Sequence, residues 1–307
     1  MKRNFFKFFG IFIRGLSMGL ADLVPGVSGG TIAFITGIYE ELISSISELK
    51  FSLIKDYRLG GIKLVWSKIN APFLITLFFG IMVSVLFFSS FISWILNEYP
   101  ILTWSFFFGL ILSSIFYFIN EIKKWNLIKV SLILIGILIT FGITRLENFN
   151  SSNSYLYIFV SGIFAICAMI LPGISGALVL VIMGSYKNIL QAITNKEIFK
   201  IISFGLGAVI GLITFSKILK FLFNNYKNET LSILTGFMSG ALIKIWPWKR
   251  IINNQSSKYK NYLHEECISP FSYDGDPMIF QAIISMFIGF ILIFIFNYLS
   301  RKQKFIE

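Results

Sequence analysis

The chain is 307 residues long, 56% hydrophobic and only 14% charged, with 35 Phe and a mean hydropathy of +0.78. That is more apolar surface than a water-soluble domain of this length can bury, so lipid is the expected solvent. The net charge of +12 would suggest nucleic acid in a soluble protein, but here the basic residues collect in short loops between apolar runs, as in membrane anchoring, and no nucleic-acid partner is expected. Cys167 and Cys267 offer neither a disulfide framework nor a metal-ligand spacing, so no metal or cofactor is expected.

The N-terminus, Met1-Lys2-Arg3-Asn4-Phe5-Phe6, opens like a signal peptide. Lys7 and Arg14 interrupt its apolar part and no Ala-x-Ala site follows, so the segment is expected to be retained. Residues 5–24 and 27–46 read as two apolar arms joined at Pro25-Gly26, where a missing N–H and a free φ favour a chain reversal. A basic loop is expected over 47–70. Spans of about 30 Å are expected at 71–96, 101–119 and 128–144. The plan then repeats: arms at 155–171 and 174–193 flank Pro172-Gly173, and spans are expected at 201–223, 231–247 and 278–299.

The repetition extends to single residues. At an offset of 147, Ala21/Ala168, Pro25/Pro172, Gly26/Gly173, Ser28/Ser175, Gly29/Gly176, Gly37/Gly184 and Tyr39/Tyr186 coincide. At an offset of 127, Gly80/Gly207, Asn97/Asn224, Tyr99/Tyr226 and Gly109/Gly236 coincide, the longer basic loop of the first half absorbing the difference. The fold class expected is therefore an all-α polytopic membrane protein of two repeats, 1–150 and 151–307, each a Pro-Gly-broken, re-entrant helical hairpin plus three transmembrane helices. A hairpin returns to its starting side and three spans cross, so the halves are expected to be inverted relative to one another. With the N-terminus inside, 17 of the 27 Lys and Arg residues fall in cytoplasmic segments and 8 outside, which favours both termini in the cytoplasm.

Backbone at mid-membrane must line a cavity or be packed in protein. The arm after each break begins with free N–H groups and the positive end of a helix dipole. Gly26, Gly29 and Gly30 allow close approach to that backbone, and Ser28 and Thr31 add hydroxyls; Gly173, Ser175 and Gly176 offer the same from the other copy. Two such ends facing one another suit an anion, with phosphate the natural occupant. The plainer reading is that these glycines only let helices pack closely.

Charges within apolar arms cost at least ~2.5 kcal/mol, so Arg14 and Asp22 need partners or a cavity. They lie roughly 12 Å apart along a helix, too far to pair directly. Arg14 suits a phosphate counter-charge or snorkels to the headgroups. Asp22 suits a coupling proton or a cap on the hairpin tip. Glu40 is a second coupling candidate, although Lys187 stands in its place in the second copy. Lys244-Ile245-Trp246-Pro247-Trp248-Lys249-Arg250 reads as an interfacial anchor, and His264, in the long polar loop 249–277, as a solvated residue.

Arg14-Gly15-x-x-Met18-Gly19-x-Ala21-Asp22-x-Val24-Pro25-Gly26-Val27-Ser28-Gly29-Gly30-Thr31, with Gly37-Ile38-Tyr39-Glu40, resembles the signature of the bacterial polyprenyl-phosphate (undecaprenyl-phosphate) translocases, the PopT-like membrane family formerly known as a domain of unknown function. The resemblance extends to Ile170-Leu171-Pro172-Gly173-Ile174-Ser175-Gly176 and departs at Ala177 and Lys187. It implies flipping of undecaprenyl phosphate across the bacterial cytoplasmic membrane for reuse in peptidoglycan and other envelope polymers, without catalysis. The rival readings are an integral membrane polyprenyl-diphosphate phosphatase and a transporter of another small anion. Against the phosphatase, Gly29 and Gly176 follow the serines where such chemistry asks for an Arg, and no histidine is near.

Overall fold

The computed structural model describes residues 2–24, 27–50, 52–145, 152, 154–253 and 263–304. Pro25, Gly26 and the expected boundary between the halves at 150/151 lie outside the described residues. The first part of the chain forms α1 (Lys2–Asp22), α2 (Gly29–Ile35), α3 (Tyr39–Ser47), α4 (Leu53–Lys68), α5 (Ala71–Glu98), α6 (Pro100–Glu121) and α7 (Leu127–Arg145). The second forms α8 (Tyr155–Ile170), α9 (Gly176–Ile182), α10 (Tyr186–Thr194), α11 (Ile198–Asn225), α12 (Lys227–Ala241) and α13 (Ile279–Lys304), with a hairpin of β1 (Lys249–Asn253) and β2 (Leu263–Cys267) before α13.

Among the described residues, four helices, α5, α6, α7 and α11, are long and apolar enough to cross a membrane, and the bent pair α9–α10 would make a fifth. The protein is thus a multi-pass, essentially all-α membrane protein. Its element bounds carry the sequence offsets with little drift: α9 and α10 begin 147 residues after α2 and α3, and α11 and α12 begin 127 after α5 and α6. Helix α4 occupies the extra length, where the sequence suggested only a basic loop.

Three further expectations are corrected. The arm after each Pro-Gly is two short helices, because Gly37 (φ 73°) and Gly184 (φ 65°) take the left-handed backbone that other residues resist; α9 and α10 meet at 105°. The span expected at 231–247 is the 15-residue α12, which ends at Ala241 and gives way to turns. The polar loop 249–277 contains the antiparallel pair β1–β2, in which His264 lies opposite Ile252. Its stem is tied down: the Trp246 indole N–H donates to the Ile268 carbonyl and that of Trp248 to the Pro277 carbonyl, both at 2.9 Å. Trp248 is buried with Ile101 and Ala282, and Lys249 Nζ sits 3.9 Å from the centre of the Trp104 ring.

Helix pairs meet at glycines, where the missing side chain lets backbones touch. Gly15 and Gly80 seat α1 on α5, and Gly162 and Gly207 seat α8 on α11 in the equivalent way. Gly109 and Gly289 join α6 to α13, while Gly136 and Gly236 join α7 to α12. The last two pairings each take one helix from either half of the chain, so the bundle is interlocked rather than divided.

Candidate functional site

The two chain breaks meet. Ser28, in extended backbone before α2, donates its hydroxyl to the carbonyls of Met169 (2.9 Å) and Leu171 (3.2 Å) at the C-terminal end of α8. Between them, the carbonyl of Ile170 accepts the hydroxyl of Tyr39 at 3.3 Å. The last carbonyls of a helix lack intrahelical donors, and here the first hairpin supplies them to the second. Gly30 permits the approach, since a Cβ at that position would run into the Ile170 carbonyl oxygen.

The N-terminal end of α2 is occupied from within. The Gly29 amide donates to Asp22 Oδ1 at 2.7 Å, the Gly30 amide to Ser28 Oγ at 3.1 Å, and the Thr31 amide to the Ser28 carbonyl at 2.9 Å. Asp22 therefore caps the tip, one of the two roles its position suggests. Its carboxylate lies where an anion would meet the Gly29 amide. The Thr31 hydroxyl, buried beside this turn, has no hydrogen-bond partner among the described residues.

The second copy is built differently. Met169 stands where Asp22 stands in the first, Ala177 where Gly30 stands and Leu178 where Thr31 stands. Ser175 makes no side-chain cap. Gly173, at φ 87°, lies directly against the backbone of Phe237 and Met238 in α12, so the second tip is held in protein. Gly176 is half-buried and Ala177 exposed, whereas Gly29, Gly30 and Thr31 are buried.

Of the remaining candidates, Arg14 is half-buried on α1, two turns before Asp22. Glu40, in the first turn of α3, faces away from the hairpin tip: it pairs with Lys227 at 2.5 Å, both side chains about half exposed. Gly26 lies outside the described residues. What the sequence did not indicate is the partner surface, because Met169, Ile170 and Leu171 act through backbone carbonyls and their side chains carry no signal. The repeated Gly-x-Tyr was the clue to Tyr39. Lys220, which holds Glu48 at 2.8 Å, was likewise unmarked.

Two concavities lie at the other end of α8, near its N-terminus. An open apolar groove of about 420 Å³ runs between α8 and α11 along Tyr155, Phe159, Phe199 and Leu206. A cavity of about 60 Å³ lies under α10, against Ile189, Ala192 and Ile193. Among the described residues, no three His, Cys, Asp or Glu side chains gather as a metal ion would need.

Residues 18–262, which include both breaks, match the model of the undecaprenyl phosphate translocase-like family. The chain belongs to this family. It is 44% identical over 266 residues to a polyprenyl-phosphate transporter of Vibrio cholerae, covering 86% of each chain. It is 31% identical over 262 residues to a polyprenyl-phosphate transporter of Staphylococcus aureus, covering 79% of this chain and 87% of that one. No solved structure matches it.

Proposed function

We propose that the protein translocates undecaprenyl phosphate across the bacterial cytoplasmic membrane, returning the carrier lipid for further envelope synthesis, and that it is a transporter rather than an enzyme. The observation that carries this reading is the meeting of the two breaks, Ser28 on the carbonyls of Met169 and Leu171, inside a chain of this family. A lipid phosphate needs polar backbone at depth for its head and lateral access for its tail. The glycine-lined breaks offer the first, and the apolar groove between α8 and α11 suits the second.

In this reading the halves, 1–150 and 151–307, are inverted repeats with re-entrant hairpins, and both termini are cytoplasmic. Contacts between distant loops support that arrangement. Glu48 meets Lys220, and Asn228 accepts the Lys123 amide, joining the segments 47–70, 120–129 and 217–229 assigned to the cytoplasmic side. Trp104, Trp246 and Lys249 cluster at the opposite end.

The phosphate binds at the amides and hydroxyls of Gly26, Ser28, Gly29, Gly30 and Thr31, and of Gly173, Ser175 and Gly176, with Arg14 as counter-charge. At the first hairpin it displaces the Asp22 carboxylate from Gly29, so entry of the anion is coupled to the state of Asp22. Glu40, paired with Lys227 at an exposed corner, is better suited to holding α3 in place than to moving a proton. The test is flipping of a labelled polyprenyl phosphate in proteoliposomes. Arg14→Ala and the double variant Ser28→Ala/Ser175→Ala should lose activity, and parental rates would remove these residues from the mechanism. Release of inorganic phosphate from a polyprenyl diphosphate by the purified protein would favour a phosphatase instead.

A further inference from the structure

The two hairpins are similar in sequence and opposite in burial. Tyr39 on α3 is 1% exposed and its counterpart Tyr186 on α10 is 43% exposed; Ile43 and Leu190 are at 1% and 52%; Ile46 and Ile193 are at 2% and 55%. The apolar stripe is thus kept in both copies and covered in one. Its cover over α3 is the C-terminal half of α11, where Phe223 meets the Tyr39 ring at 5.6 Å and Leu219 is buried. Among the described residues, α10 has no comparable packing with α5, the helix that corresponds to α11.

The hydrogen bonds differ in the same sense. Ser28 and Tyr39 reach the last carbonyls of α8, whereas among the described residues Ser175 and Tyr186 have no such bonds to the end of α1. The offset that relates the copies converts Met169, Ile170 and Leu171 into Asp22, Leu23 and Val24. The offset of 127 converts Leu219, Lys220 and Phe223 on α11 into Ile92, Ser93 and Leu96 on α5. The counterparts of these partners are therefore present in the chain, and among the described residues none of them holds the second hairpin, the Val24 carbonyl accepting instead the Val27 amide at 3.1 Å and Ile92 packing on the core.

We propose that the two hairpins exchange these roles. In the second state α10 lies on α5, with Tyr186, Leu190 and Ile193 against Ile92 and Leu96. The hydroxyls of Ser175 and Tyr186 then take the carbonyls of Asp22, Leu23 and Val24, and α3 leaves α11. The structure is the first-hairpin-seated member of the pair. Ion pairs bias the exchange toward it: Glu48–Lys220 and Glu40–Lys227 tie α3 to the α11–α12 corner, while Asn195, Ser93, Lys187 and Pro100, at the corresponding positions, cannot form an ion pair. This proposal rests on the inverted-repeat reading above, and it adds to that reading the two endpoints and the residues that define each.

Cross-linking tests it in a background with Cys167→Ala and Cys267→Ala. One protein carries Glu48→Cys/Lys220→Cys, which are in contact in the structure, and another Ser93→Cys/Asn195→Cys, which are to meet only in the second state. Reconstituted with polyprenyl phosphate and treated with a short bis-maleimide, both pairs should cross-link, and each cross-link should stop flipping. No cross-link at 93/195 while 48/220 reacts, or undiminished flipping by either cross-linked protein, would overturn the exchange. If both pairs cross-link but the uncross-linked parent moves no lipid phosphate, the exchange stands and the transport reading falls.

Discussion

Asp22 Oδ1 accepts the amide of Gly29 at 2.7 Å, closing the first chain break with a carboxylate from the helix before it. The same amide is the natural donor to an incoming phosphate, so this acid and the substrate contend for one position. Removing the acceptor should cost about 1 kcal/mol, the usual worth of an N-cap. Asp22→Ala is expected to lower the thermal midpoint in detergent, and Asp22→Asn, which keeps a carbonyl oxygen for Gly29, to leave it near the parental value. Equal losses in both variants would show that the charge, rather than the hydrogen bond, is what the tip requires.

The serines of the two breaks should differ in their effect on stability. Ser28 bonds two carbonyls across the hairpins, and polar bonds between helices in lipid are worth roughly 0.6–1.7 kcal/mol. Ser28→Ala should lose an amount in that range in an unfolding titration, while Ser175→Ala should be close to neutral, because its hydroxyl caps nothing in this state.

Gly30→Ala places a methyl group against the Ile170 carbonyl oxygen, which as backbone cannot swing aside. Overpacking of this kind costs about 1–3 kcal/mol. Thermal unfolding should register that loss. The contact between α2 and α8 should open, giving faster labelling of a cysteine placed at Ser28 in the Cys167→Ala/Cys267→Ala background.

Hydrogen bonds and charge from Lys220, with Lys50 beside it, lower the Glu48 carboxyl from its ordinary 4.5 to about 2. A lowered pKa contributes stability that is complete above the ordinary value and is lost as pH falls toward the lowered one. Docking of α3 on α11 should therefore be insensitive to pH from about 5 upward and loosen only in stronger acid. Spin labels on α3 and α11 should report a constant distance from pH 5 to 8 in the parent. In Glu48→Gln the distribution should broaden at every pH, and a parental distance that lengthened near neutrality would contradict this.

Much of the architecture was legible because breakers and glycines have few structural uses. Pro100 starts a helix, Gly80 and Gly207 sit at helix crossings, and the offsets carried from sequence into element bounds. The second bend in each arm was missed although Gly37 and Gly184 were in view, since a glycine in an apolar run reads equally as a packing residue. The hairpin β1–β2 was missed because β1 is short and carries two basic residues, and β2 is largely polar. Least legible was the difference between the hairpins. Tyr39 and Tyr186 have similar sequence neighbours, and only the fold decides which of them is covered.

The glycine-mediated unions of α6 with α13 and of α7 with α12 look alike from either half, whereas the bent arms do not. A part that is the same on both sides has nothing to gain by moving, and a part that differs has somewhere to go. The interlocked quartet thus has the character of a fixed housing around a two-position shuttle, and damage to it should impair assembly before it impairs turnover.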